Sequence, residues 1–428
     1  MRDHTHHIQV CKEQAIEIIL GSCQFSPAVE EIPVGEAIGR VLAKDAVAQI
    51  DKPNALTCCM DSIAVRWDDF AELQGGVPDV SQWQRGREWE FANTGVAMPE
   101  GFDTAIVIEN VVMDDEDRLE RILLAPSARN AGTRPAGAEF KAGTVLVEAG
   151  LVITPLLAAY IASGNNTTVQ VLAKPKVAFI PTGNELVSLG SPVLPGKNIE
   201  TNSLMMKGKI EQWGGEAVVY PITPDDPEAL EAALRKAAAE ADIVVLNAGS
   251  SKGSDDWSLE ILEKIGTVRY HQTNHGPGHH SSFSMLDGTP IIGISGPPGG
   301  AAFTTDFYLH PAMQKFLGQD PWPVRITARL AQDFPRGGHS GAHKADEAQA
   351  KPAGEMRPRE GGVFFGIKQM KMRPSDDGLF VAYPTSSSHP NPVEAEDANV
   401  YYALKSGPGV EPPKIGDLIS VCLRPYSI

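Results

Sequence analysis

The sequence predicts a multidomain α/β plus β protein organised around a three-layer α/β domain with a parallel-rich sheet. Three observations carry this. From Lys176 onward, strand-type and helix-type runs alternate regularly, and strands alternating with helices of this length imply a parallel sheet covered on both faces. Short strand-like runs, Gly/Pro turns and acidic loops fill residues 45–135, as a β-rich insertion would. After Trp322 the helical signal stops, and five short strand patterns follow.

In chain order, IQVCKEQAIEIILG (8–21) has helical spacing of Ile8, Ala15, Ile16, Ile18 and Ile19 and ends on Gly21. The insertion holds SIAVRW and TAIVIENVVM. Past Gly143, strand TVLVEAG and helix TPLLAAYIASG resume the first region, giving a discontinuous N-terminal linking domain of 1–44 and 136–174. The α/β domain, 175–320, runs VAFIPTG, NSLMMKGKIEQWG, EAVVYPI, DPEALEAALRKAAAEA, DIVVLNAG, DWSLEILEKIG, TPIIGISG and AAFTTDFYLHPAMQKFLG. The last domain, 321–428, contains PVRITARLAQDF, GVFFGIKQMKM, GLFVAYPTS, DANVYYALKSG and DLISVCLRP, interrupted by a polar segment at 336–362 that reads as a long mobile loop.

Bulk properties narrow the function. At 428 residues the chain exceeds a single core. Its net charge of −17 argues against sequence-independent binding to a nucleic-acid backbone, which depends on concentrated Lys and Arg. No run approaches the roughly 20 apolar residues of a membrane span, and the N-terminus lacks a secretory pattern, so the expected compartment is cytoplasmic. Five cysteines without CxxC argue against a disulfide framework or a zinc knot, and Cys11, Cys23 and Cys422 are expected to pack as small apolar side chains.

In open parallel sheets ligands bind at the carboxyl ends of the strands, and three such ends are unusual. NAGSSKGSDD sets Gly249, Ser250, Ser251, Lys252 and Gly253 between a strand and a helix whose first turn holds Asp255 and Asp256. Free N–H groups beside carboxylates suit a phosphate together with a cation; the competing reading is that Ser254 and Asp255 only cap the helix. PTGNEL offers Thr182, Gly183 and Glu185, as a metal or heterocycle contact or as a plain turn. SGPPGG, with Ser295, Gly296, Pro297 and Pro298, pairs rigid with permissive backbone, suiting a flat ligand or an ordinary strand-to-helix connection.

Elsewhere, Asp226 before Pro227 is a helix N-cap signal. Asp61 lies among apolar neighbours beside Cys58 and Cys59, which read as packed thiols rather than soft metal ligands, and Thr94–Gly95 marks a turn. HQTNHGPGHH (271–280) offers His271, His275, His279 and His280 in a Gly/Pro turn without a fixed scaffold. It reads as a ligand contact or solvated loop ahead of a dedicated metal site.

In this order the pieces resemble the molybdopterin molybdenumtransferase family, the MoeA proteins and the C-terminal domain of gephyrin. MDSIAV resembles the family's MDGYAV, TGVAMPEGFDTAIV its TGxxxPxGaDaVv, TGNEL its TGDEL and AGSSKGSDD its GGVSVGxxD. PDDPEAL keeps its Asp-Asp, and SSSHPNPVEAEDANVYYAL resembles its last domain. The resemblance implies an elongated homodimer of four-domain chains, with a molybdopterin-binding α/β domain and a C-terminal β-barrel-like domain. The site would lie where the α/β domain of one subunit meets the insertion of the other. The implied reaction takes adenylylated molybdopterin, cleaves its phosphoanhydride with release of AMP, and places molybdate or tungstate on the dithiolene, with Mg²⁺ assisting. Substrate would come from a molybdopterin adenylyltransferase, and product would go to molybdo- or tungstoenzymes or their chaperones.

Position by position, Asp61, Thr94, Glu185, Asp226 and Asp256 match family functional residues, with Asp61, Glu185, Asp226 and Asp256 as the implied metal ligands. Arg134 and Glu139 fall where the family has a basic residue and an aspartate. Carboxylates facing an anionic ligand make sense when a cation stands between them. The departures are cationic: against the family's KPGKP, Gly276 replaces one lysine and His279 the other, and ISGPP replaces LPGNP. Lys252 could compensate. Two further readings remain open: a non-catalytic molybdopterin-binding carrier, sensor or scaffold, and an enzyme for a different nucleotide or pterin.

Overall fold

The computed structural model describes residues 9–248, 258–335, 363–387 and 390–425. They form two compact units, one of residues 28–173 and one of the first 27 residues with 174–428.

In the first unit the ends of the segment meet: strand Val29–Pro33 pairs antiparallel with Thr168–Leu172. Val34, Leu42, Val147, Ile153, Ile161 and Val171 fill the space between them and helix Pro155–Ser163, whose N-cap Thr154 accepts from Leu157 N–H. Within this closure a three-stranded antiparallel sheet, Trp89–Ala92, Ser62–Val65 and Thr104–Val107, packs Ile63, Val65, Trp89 and Ile106 in a core of its own.

The second unit centres on a six-stranded sheet in the order Glu216–Val219, Lys176–Pro181, Ile243–Ala248, Thr289–Ser295, Ser282–Leu286, Thr267–His271. The first four strands are parallel, as the alternating pattern predicts. The last two join through antiparallel pairings, with Ser282–Leu286 running against the other five strands, and the sequence reading did not include them. Alternation along the central strands serves two layers. Val177, Phe179, Val245 and Ile292 face helix Asn202–Gln212 and the helical run from Pro298 to Phe316, while Ala178, Ile180, Val244 and Leu246 face helices Pro227–Glu240 and Ser258–Ile265. Helix Lys12–Ser22 buries Ala15, Ile16, Ile19 and Leu20 in the first of these layers.

The five C-terminal strands all form, and they close into a ring. Phe364–Pro374 pairs with Phe380–Pro384, then come Arg325–Leu330, Leu418–Leu423 and Val400–Ser406, which returns to Phe364–Pro374. Ala328, Leu330, Met370, Ala382, Val400 and Val421 fill the interior. Among the described residues no helix is long and apolar enough to cross a membrane. All five cysteines are free; Cys23, Cys58 and Cys422 are buried, and Cys11 and Cys59 partly exposed.

Candidate functional site

In the 28–173 unit the structure joins two residues that lie 33 positions apart in sequence. The Thr94 N–H and Oγ1 both donate to Asp61 Oδ1, at 2.9 and 3.0 Å. These two bonds, the backbone one foremost, hold the exposed Asp61 carboxyl below its ordinary range. The turn needs glycine next: Gly95 has φ +76° and its N–H donates to Cys58 O at 3.0 Å. Cys58 is buried, and desolvation pushes its thiol up, as expected of a packed thiol. Arg134, exposed, lies on the two-residue strand that pairs with Thr57–Cys58. Glu139 is paired with Lys52 at 3.1 Å.

In the other unit the carboxyl ends of the parallel strands carry a hydrogen-bonded scaffold. Thr182 is buried, and its Oγ1 donates to Asn247 O at 2.9 Å. Thr182 also bridges Thr223, which brings PTGNEL beside TPDDP. Gly183 has φ +146°, and a Cβ there would sit 2.6 Å from Glu185 Oε2, so the Glu185 side chain is folded back over the Gly183 backbone. The neighbouring Asp-Asp pair divides its work. Asp226 caps helix Pro227–Glu240, its Oδ1 accepting from Ala229 N–H at 2.9 Å, whereas Asp225 turns to the Glu185 segment and accepts from Asn184 N–H at 2.9 Å. Sequence reasoning singled out Asp226 by its place before Pro227 and passed over Asp225, whose part shows only once the Thr182–Thr223 bridge brings the two loops together.

A second missed pair is Asn202 and Asn247, each under 7% exposed. Asn202 Nδ2 donates to Asn247 Oδ1 and to Gly296 O, both at 2.8 Å, and Asn247 Nδ2 donates to Ser295 O at 2.9 Å. The two amides thus tie the start of one helix to the ends of two strands and fix SGPPGG at its first two residues. Pro297 is the N-cap and Pro298 the first residue of helix Pro298–Thr304. Ser295 is buried under Gly300, where a Cβ would fall 2.6 Å from Ser295 Oγ. Gly249, Ser250, Ser251, Lys252, Gly253 and Asp256 lie outside the described residues.

The histidine tract departs from the expectation of an unscaffolded turn. His275 is fully buried, and strand His275–Gly276 pairs parallel with Phe365 and Gly366. Its Nδ1 faces Pro277 O at 3.0 Å and its Nε2 faces Tyr308 OH at 2.6 Å. A carbonyl can only accept, so the neutral ring carries its proton on Nδ1 and takes one from Tyr308 at Nε2. Gly278 (φ +94°) packs on Thr304, Ser281 donates to Gly278 O, and Thr273 N–H donates to His279 O, so the segment is seated rather than loose. His279 Nδ1 stands 3.3 Å from Thr273 O, and its ring tilts against His280. A Cβ on Gly276 would approach the Phe364 ring to 3.0 Å, so a lysine fits there only if that ring moves. Among the described residues no three His, Cys, Asp or Glu side chains converge as a metal cage.

Known proteins share this organisation. A family model described as the MoeA N-terminal region (domain I and II) matches residues 10–164, and one described as "probable molybdopterin binding domain" matches 178–315. The molybdopterin molybdenumtransferase of Haemophilus influenzae is 28% identical over 319 residues, 72% of this chain and 78% of its own length. The protein of the same name from a Nostoc species is 28% identical over 323 residues, 70% and 72% of the two chains. Two crystal structures of the MoeA protein from Pyrococcus horikoshii match with TM-scores of 0.73 and 0.69 at 24% and 22% identity, covering 97% of this chain and 99% and 100% of theirs; these two speak to the fold. With both models in their expected order and relatives matched over most of their length, the chain belongs to the MoeA family, as a divergent member.

Proposed function

We propose that this member of the molybdenum cofactor pathway inserts molybdate or tungstate into adenylylated molybdopterin and releases AMP, assisted by Mg²⁺. The supporting observation is the disposition of Glu185. Its carboxylate takes no hydrogen bond from the described residues, yet it stands at the carboxyl end of a parallel sheet beside Asp225, in a scaffold that fixes the surrounding backbone. That leaves both carboxylate oxygens available to a bound cation at a strand end where such sheets bind their ligands.

Mg²⁺ is bound through one or two carboxylates plus substrate phosphates and water. Within the 174–428 unit the hard oxygen donors of Glu185 and Asp226 would suit that chemistry, Asp226 keeping its second oxygen free of the cap bond; the resemblance adds Asp61 and Asp256 to the proposed set. When bound, the cation would offset the charge of the phosphoanhydride as AMP departs. The chain's own part is orientation. Thr94 keeps Asp61 ionised and fixed. Thr182, Asn202 and Asn247 hold the strand ends on which a flat pterin would lie. The cytoplasmic homodimer, the adenylyltransferase donor, the recipient enzymes and the domain limits given above belong to the same proposal.

The test is AMP release from adenylylated molybdopterin by the purified chain with Mg²⁺ and no oxyanion, molybdate or tungstate. Oxyanion-dependent release is expected; tight binding without release would instead favour a carrier or sensor. Asp61→Ala and Glu185→Ala should each slow release by on the order of 10²–10³-fold, the usual loss when a group stabilising developing charge is removed. Equilibrium binding measured alongside should change far less. Equal losses in rate and affinity would move these residues from chemistry to plain binding.

A further inference from the structure

The turn that carries Glu185 is clamped through the backbone N–H, the carbonyl and the side-chain oxygen of the residue before it. Asn184 N–H donates to Asp225 Oδ2 at 2.9 Å, Asn184 Oδ1 accepts from Asp225 N–H at 3.3 Å, and Asn184 O accepts from Lys197 Nζ at 2.5 Å. On the other side, Glu185 O accepts from Asn198 N–H at 2.8 Å. Three separate pieces of chain converge here: the turn, the loop before helix Pro227–Glu240, and the two-residue strand Asn198–Ile199, which pairs with Leu186–Val187. Asn184 and Glu185 are both exposed. An exposed turn without such bonds opens readily, and the convergence fixes the backbone on either side of the Glu185 carboxylate, which itself takes no hydrogen bond from the described residues.

We infer that Asp225 and Lys197 are positioning residues for Glu185, acting through Asn184 to hold its carboxylate in place at the strand end. An amide suits position 184: it accepts from Asp225 N–H without setting a third carboxylate against Asp225. The inference rests on the functional reading above and adds two residues to it.

The test compares the full chain with Lys197→Met, Lys197→Arg and Asp225→Ala, measuring oxyanion-dependent AMP release and equilibrium binding of adenylylated molybdopterin with Mg²⁺. Misplaced catalytic groups cost rate ahead of affinity, so Lys197→Met and Asp225→Ala should each lose roughly ten- to a hundredfold in rate, with affinity changed by no more than about threefold. Lys197→Arg, which restores a donor to Asn184 O, should recover most of the rate. Wild-type rates in Lys197→Met, or a loss in affinity alone, would overturn the positioning role while leaving the functional reading intact. Should the wild-type chain release no AMP, the functional reading fails, and amide hydrogen exchange across 183–187 decides the clamp separately. Faster exchange in both Lys197→Met and Asp225→Ala supports it, and unchanged exchange overturns it.

Discussion

Asp306→Ala should destabilise the 174–428 unit by about 3–5 kcal/mol, the typical cost of removing one partner from a buried ion pair. Asp306 is 3% exposed and lies in the π-helical stretch Thr305–Leu309. One of its oxygens accepts from Lys209 Nζ, and the other accepts from Tyr401 OH at 2.6 Å. Lys209 is itself buried and also donates to Ala302 O at 3.0 Å. Desolvation presses its ammonium toward the neutral form, and the Asp306 charge opposes that. Alanine at 306 therefore strands a buried cation and a buried hydroxyl together. Because Lys209, Asp306 and Tyr401 come from helix Asn202–Gln212, the 298–316 run and a barrel strand, the loss falls on the joint between the α/β domain and the barrel. Denaturant unfolding of Asp306→Ala beside the double variant Asp306→Leu/Lys209→Met is the check. The double variant buries no charge and should recover much of the deficit, while equal instability in both would assign the effect to packing.

A second large effect is expected in acid. Desolvation lowers the buried His275 from 6.5 to about 4, with its ring enclosed by Tyr308, Phe307 and Pro277 O and with the Lys12 charge acting in the same direction. His310, against Trp213, is likewise lowered to about 4, desolvation again foremost. For both residues the unfolded chain binds the proton first, so stability is complete above about pH 6.5 and declines as pH falls toward 4. At 1.36 kcal/mol per unit, His275 contributes on the order of 3 kcal/mol to that decline. His275→Gln, which keeps a donor and an acceptor, should flatten the pH dependence of unfolding between 6.5 and 4 while lowering stability near neutrality. An unchanged slope would show that His275 already titrates normally in the folded chain.

The sequence was most informative where structure follows periodicity. The four parallel strands, the helices between them and the five barrel strands carry their signal in consecutive residues, so VAFIPTG and DIVVLNAG could be placed without knowing their neighbours. The strands Thr267–His271 and Ser282–Leu286 escaped because they flank a segment dense in Gly, Pro and His, whose composition reads as loop until Phe364–Pro374 supplies a partner. Barrel closure was beyond local reading too, since it depends on pairing Phe364–Pro374 with Val400–Ser406. At the site, motif residues such as Thr94 and Glu185 were visible by type, but their connections were not. Asp225, Lys197, Asn202 and Asn247 have ordinary local sequence, and they matter through bonds to residues as far as 94 positions away.

The most direct measurement supplies the chain with adenylylated molybdopterin, Mg²⁺ and molybdate, then quantifies AMP and dithiolene-bound molybdenum in the same sample. AMP and bound molybdenum should appear together and in equal amounts, and both should vanish in Glu185→Ala while that variant still binds the nucleotide. AMP without bound molybdenum, or undiminished molybdenum insertion by Glu185→Ala, would contradict a transferase centred on this turn.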